Sequence, residues 1–169
     1  MIQAVIFDIR FGPSQYGHSA FHSDDPKCPN EAFFTQVDFV VDRCESLGTY
    51  VGMLPNWGYI TTGVEPVGRA VLHRPLVNLS NARGYGRYLG ERYRDRPVIW
   101  ILGGNQEPRG KEEVFAEQAE GIAEGMAGAG CECFIRAATP HRPPGSMRAI
   151  GSTSTAFSRA TSSVARTTG

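Results

Sequence analysis

The chain has 169 residues, with 17 Lys and Arg against 17 Asp and Glu, a formal net charge of zero and a pI near 6.9. That balance gives no electrostatic case for nucleic acid or a membrane surface as partner, and no apolar run approaches the roughly 20 residues of a spanning helix. The length suffices for one domain with a sizeable core. No N-terminal stretch combines a charged start with an apolar segment, so no signal peptide is visible and the cytoplasm is the default location. Cys28, Cys44, Cys131 and Cys133 lack the paired spacing of a structural zinc site and read as free thiols.

In chain order, Ile2 to Phe7 is a short apolar run ending at Asp8, as suits a buried parallel strand. Residues 9 to 30, rich in Gly, Pro, Ser, His and Asp, read as a long ordered loop. Asn30 is placed to cap a helix with Glu31 in its first turn. Phe33, Val37, Val40, Cys44 and Leu47 recur at helical spacing as its inner face, and Gly48 ends it. Thr49 to Leu54 is a second buried strand, closed by Pro55, and a long loop runs to about Leu79. Ser80 or Asn78 caps the next helix, with Tyr85, Tyr88, Leu89 and Tyr93 turned inward; it stops before Pro97. Val98 to Leu102 is the third strand. Lys111 to Met126 is the third helix, with Val114, Phe115, Ala119, Ile122 and Met126 on one stripe, and Cys131 to Ala137 is a fourth strand.

This β-α-β-α-β-α-β order implies a parallel sheet, open or closed into a barrel. In either form ligands gather at the C-terminal strand ends, where Asp8, Asn56-Trp57 and Asn105 fall. After Glu132 no acidic residue appears, and Ser, Thr, Ala, Arg, Pro and Gly dominate with no apolar periodicity. Residues 138–169 therefore read as a disordered basic tail behind a domain spanning 1–137.

Trp57 at a strand end offers a flat apolar face and an N–H donor to a sugar ring; it equally suits a core position over the strand ends. Gly103-Gly104 lets the backbone approach a ligand or a neighbouring strand closely. A phosphate cradle is the rival reading, but the stretch lacks both the G-x-G-x-x-G spacing and a Walker lysine, so no nucleotide cofactor is implied. His18, His22, Asp24 and Asp25 crowd one loop; they read as a solvated loop, and no metal site is expected. No G-x-S-x-G elbow is present.

Three stretches, D-P-K-C-P-N-E-A-F-F-T-Q-V-D-F-V-V-D-R (25–43), Y-V-G-M-L-P-N-W-G (50–58) and N-A-R-G-Y-G-R-Y-L-G-E-R-Y-R-D-R-P-V-I-W-I-L-G-G (81–104), resemble the apiosidase-like glycoside hydrolase domains. The shared pattern is D-P-x-x-P-N-E, L-P-T-W-G-D, N-A-R-x-Y-G-x-x-L-G and W-I-L-G-G-D, in the same order over about residues 1 to 137. The resemblance implies an α/β fold, a partial (β/α)8 TIM barrel holding about four parallel strands and three helices. The first and the later β/α units would lie outside it. It also implies a carbohydrate substrate, with cleavage of glycosidic bonds in plant-type, pectic oligosaccharides.

The resemblance places the family's acid/base aspartate at Asn105, and replaces the aspartate after W-G by Tyr59. Asn105 and Glu107 are the catalytic candidates: Glu107 either supplies the proton that Asn105 cannot, or faces water. Asp8, Asn56, Trp57 and Gly104 are the expected substrate-binding residues. A fragment so altered is expected to be inactive alone; the alternatives are a non-catalytic carbohydrate-binding remnant and an open α/β domain for another small molecule. Residues 151–162, back-translated and read one base earlier, permit W-L-D-F-H, close to the family's next strand. A reading frame lost between Ile135 and Gly151 would explain the tail.

Overall fold

A computed structural model describes residues 1–64, 74–104 and 106–127 and the backbone of Ile135–Ala137. Its elements are β1 (Ile2–Val5), α1 (Glu31–Ser46), β2 (Val51–Leu54), α2 (Gly58–Thr62), α3 (Ala82–Arg92), β3 (Val98–Leu102), α4 (Glu112–Gly125) and β4 (Ile135–Ala137). The four strands form one parallel sheet in the order β1-β2-β3-β4, so each helical crossover joins neighbouring strands. The loop after β1 contains two single 3-10 turns, Ile9–Phe11 and His22–Asp24. Asn105, Cys131, Cys133 and the expected tail, 138–169, lie outside the described residues.

Several local signals act as the sequence indicates. Asn30 Oδ1 accepts the Ala32 N–H at 3.1 Å and caps α1. At the other end Gly48 takes φ 62° while Thr49 N–H reaches back to the Cys44 carbonyl at 2.8 Å, a Schellman closure. Tyr85, Leu89 and Tyr93 of α3 are buried, as are Val114, Phe115, Ile122 and Met126 around α4.

Three expectations are corrected. Of the expected inner face of α1, Cys44 is buried and Phe33 and Val37 pack partly buried against the core, but Val40 is 42% and Leu47 62% exposed, and the buried row is Phe34, Val41 and Cys44. Two apolar rows lie on adjacent flanks of this helix. Contact with α3 selects between them: Phe34 meets Tyr88 edge to face at 5.0 Å, and Arg92 pairs with Asp38 at 2.7 Å. The flank carrying Phe33, Val37 and Val40 instead borders a groove of about 260 Å3 beside β1. The residue that directly precedes α3 is Asn81 rather than Ser80 or Asn78, but it makes no side-chain cap bond; Asn78 supplies that chemistry one turn earlier, its Oδ1 accepting the Ser80 N–H at 3.0 Å and its carbonyl the Ala82 N–H at 2.9 Å. The loop after β2 holds a further helix, α2, a five-residue segment opening on Gly58 that shows no periodicity.

Helices α3 and α4 approach until their backbones touch. A Cβ on Gly86 or Gly90 would lie well inside 3.0 Å of the Gln118 or Ile122 carbonyl oxygen, and one on Gly121 or Gly125 equally close to that of Arg83 or Arg87. Arg83 spans the seam to Glu117, Glu120 and Glu124 at 3.1, 3.0 and 2.5 Å; such exposed pairs contribute about 0–1 kcal/mol each. Glycine fit, not charge, sets this packing.

Candidate active face at the strand ends

The turns that follow β2 and β3 interlock. Gly103 and Gly104 both adopt left-handed φ, 74° and 63°, which costs L-residues with a Cβ roughly 1–2 kcal/mol each. The double turn lays Gly104 against the indole. A Cβ there would sit 2.8 and 2.9 Å from Trp57 Cζ3 and Cε3 and 3.0 Å from Leu54 Cδ2. In return, a Cβ on Gly58 would meet the Gly103 carbonyl at 2.7 Å and Gln106 Cβ at 2.8 Å. The glycine pair therefore seats the half-buried Trp57 at the mouth of the sheet.

Beneath this face lies a buried amide network. Asn56, 1% exposed, donates through Nδ2 to the Trp57 carbonyl (3.0 Å) and Thr61 Oγ1 (3.1 Å), and its Oδ1 accepts from Gln118 Nε2 (3.0 Å). Both ends of the Asn56 amide are thus occupied from below. Gln106 does the same for the β3 turn, donating to Thr62 Oγ1 at 2.8 Å and to the Val64 carbonyl. Tyr85 donates to the Pro55 carbonyl at 3.0 Å. Replacing Gln118 with leucine strands the Asn56 carbonyl oxygen, and the melting temperature should fall by the equivalent of about 1–3 kcal/mol. The double variant Gln118→Leu with Asn56→Leu should recover part of that loss, a coupling that thermal melts would measure.

Asp8, at the end of β1, is buried. Its carboxylate accepts the Arg10 N–H (3.0 Å), the Arg10 guanidinium (2.6 Å at closest) and the Tyr59 hydroxyl. Arg10 lies 4.9 Å over the Tyr59 ring. Burial alone would raise the Asp8 pKa, but the bonds from Arg10 and Tyr59 outweigh it and hold the carboxyl below its ordinary value. Burial, with the bond to Asp8, pushes the Tyr59 hydroxyl up, so Tyr59 stays a donor. A carboxyl lowered on folding adds stability above its unfolded pKa, near about pH 4, and loses it as pH falls through the lower folded value. Melting temperatures of the wild type and Tyr59→Phe should therefore differ by a constant amount from pH 5 to 8 and converge below about pH 4.

The remaining expected site residues divide. Glu107 is exposed on the loop after Gln106, and Asn105 lies outside the described residues. Trp57 and Gly104 touch, and Asp8 joins them through Tyr59, two residues after Trp57. His18, His22, Asp24 and Asp25 do not converge: among the described residues no three His, Cys, Asp or Glu side chains gather as metal ligands. Arg10, Gln106 and Gln118 escaped the sequence reading. Only Gln118 left a signal, as a lone amide within the buried row Val114, Phe115, Ile122.

The family model of the apiosidase-like catalytic domain matches residues 1–159. The chain belongs to the apiosidase-like family. No curated protein matches it. Among solved structures, a chain titled "Glycoside hydrolase" superposes with TM-score 0.53 at 19% identity, over 80% of this chain and 29% of that one. A glycoside hydrolase family 5 protein from Bacteroides vulgatus ATCC 8482 gives TM-score 0.49 at 28% identity, over 62% of this chain and 20% of its own. The apiosidase-like chain thus spans under a third of either structure. Its four-stranded parallel sheet is an arc of a (β/α)8 barrel, and the face built on Trp57, Gly104 and Asp8 lies at the C-terminal strand ends, where such barrels carry their sites. No described helix is long and apolar enough to cross a membrane.

Proposed function

We propose that this chain is the sugar-holding arc of a glycoside hydrolase acting on plant-type, pectic oligosaccharides, and that it cleaves none of them alone. The observation that carries this reading is the Trp57 indole laid along Gly104 at the ends of adjacent strands. It offers a flat apolar surface beside the β3 turn, in whose sequence Asn105 and Glu107 follow Gly104. In this reading Trp57, Gly104 and Asn105 contact the sugar, while Asp8 and Asn56 hold the face from below.

Glycosidases of this kind need one carboxyl to protonate the leaving oxygen and a second as nucleophile or base. Asn105 has no acidic proton, and Asp8, held ionised by Arg10 and Tyr59, is a poor donor. Glu107 is the remaining acid on the β3 turn. Residues downstream of a frame lost between Ile135 and Gly151 take no part, as translation of a displaced frame. Resequencing the codons from Ile135 onward should reveal a one-base correction that restores W-L-D-F-H.

The test measures reducing-sugar release from pectic oligosaccharides and aryl glycosides. The chain as it stands should bind but not turn over, with binding weakened at least tenfold in Trp57→Ala. The frame-restored protein should gain turnover, which Glu107→Gln should lower by about 10²–10⁴. Turnover by the chain as it stands, or sugar binding indifferent to Trp57, would overturn the reading. Binding without turnover even after frame correction favours the second reading, a non-catalytic carbohydrate-binding remnant, for which the amide at Asn105 speaks.

A further inference from the structure

We infer that the cavity at the end of β1 is a second subsite, for a neutral sugar ring, with Phe11 as its stacking platform; the inference rests on the carbohydrate reading above. The cavity has a volume of about 610 Å3, within the roughly 300–1,000 Å3 usual for small-molecule sites. Phe7 and Phe21, both buried and meeting edge to face at 4.9 Å, line its apolar floor. Phe11, also on the lining, is 81% exposed.

A single exposed aromatic ring is ordinary on a protein surface; Phe11 differs in lining an apolar-floored cavity. Phe11 closes the turn Ile9–Phe11. Asp8 caps that turn through the Arg10 N–H, Gly12 ends it at φ 67°, and the Arg10 guanidinium lies 5.8 Å from the Phe11 ring centre. The turn that carries the ring is fixed by the same Asp8–Arg10 pair that Tyr59 joins, which lowers the ordering cost of binding on it.

The polar lining suits a neutral partner. Among the described residues, the carboxylates of Asp8 and Asp24 are matched in number by the guanidiniums of Arg10, beside the cavity, and Arg74 on its wall, so these groups together favour neither an anion nor a cation. Ser14 Oγ accepts the Tyr16 and His18 N–H groups at 3.3 Å each, leaving its own hydrogen to donate. With Asp24 as an acceptor, the wall offers both donor and acceptor to ring hydroxyls around an apolar floor.

The test titrates the full chain with methyl glycosides of neutral pentoses and hexoses, and with methyl galacturonoside as the anionic comparison, by saturation-transfer NMR. At least one neutral glycoside should bind. Phe11→Ala should weaken it at least tenfold without lowering the melting temperature, since the ring is exposed. Phe11→Trp should retain binding and report it by an indole fluorescence change. Loss of binding in both Phe11→Ala and Trp57→Ala supports one continuous site reaching the cavity. Binding that survives Phe11→Ala but not Trp57→Ala overturns the subsite and leaves the strand-end reading standing. Preference for the galacturonoside through Phe11, or no glycoside binding at all, also overturns the subsite; frame-restored turnover then judges the strand-end reading separately.

Discussion

Replacing Gly121 with alanine should lower the melting temperature of this protein, while the same change at Gly84 should raise it. Both glycines sit within helices, where alanine is intrinsically favoured by about 1 kcal/mol. At Gly84 nothing lies within 4 Å of the added methyl, so the propensity gain stands unopposed. At Gly121 the methyl would enter the space of the Arg83 carbonyl and also come within 2.9 Å of Arg87 N. The obstacle is helix backbone, so relief requires the two helices to separate, undoing the contact along Gly86, Gly90 and Gly125 as well. Overpacking of this kind costs typically about 1–3 kcal/mol, and the upper end is expected here because no flexible side chain can yield. For a chain of this size that corresponds to roughly 2–4 °C per kcal/mol. Thermal melts of the two single variants decide the matter: opposite signs are expected, and a stabilising Gly121→Ala would mean the helices do not pack this closely.

Gly104→Ala should damage the sugar-binding face more than the fold. Two costs fall on that position. The left-handed φ of 63° is strained for alanine by roughly 1–2 kcal/mol, and the methyl collides with the Trp57 ring edge. The indole is half-buried at the mouth of the sheet and can swing outward, so strain there is relieved by displacing Trp57. Gly103→Ala serves as the comparison. It shares the unfavourable φ, at 74°, but its Cβ would come no closer than 3.4 Å to Phe115, an ordinary contact. Both variants should lose similar stability, whereas only Gly104→Ala should shift the Trp57 fluorescence and weaken glycoside binding, by at least tenfold. Equal binding by the two variants would separate Trp57 from the site.

These two glycine sets also connect fold to function. The α3–α4 seam sets the place of α4, and α4 supplies Gln118, which fixes Asn56 beneath Trp57. A change at Gly121 should therefore reach the sugar face through the amide network, because Gln118 belongs to both: its carbonyl packs against Gly86 and its side chain bonds Asn56.

Much of this was legible in the sequence. Apolar runs ending at Asp8, Leu54 and Leu102 marked strands in the right places, but burial was read too broadly: β2 is buried throughout, as a strand covered on both sides must be apolar, whereas β1 lies at the edge of the sheet and Ile2 is 43% exposed. Asn30 and Gly48 marked the ends of α1, since capping chemistry is local to a few residues. The strand-helix alternation implied the parallel sheet, and the motifs over residues 25–104 pointed to the family. What only the tertiary structure decided depends on partners far along the chain. Periodicity shows that α1 has an apolar side, but the choice of the Phe34 row over the Val40 row waits on α3. Asp8 is bonded to Tyr59, 51 residues away, and Asn56 to Gln118, 62 residues away, so neither reads as occupied from its own neighbourhood. Gly103-Gly104 looked open to a ligand or a neighbouring strand; the fold turns the Cβ side of Gly104 to Trp57, which follows the neighbouring strand β2, and a missing Cβ tells where the backbone may be approached but not by what.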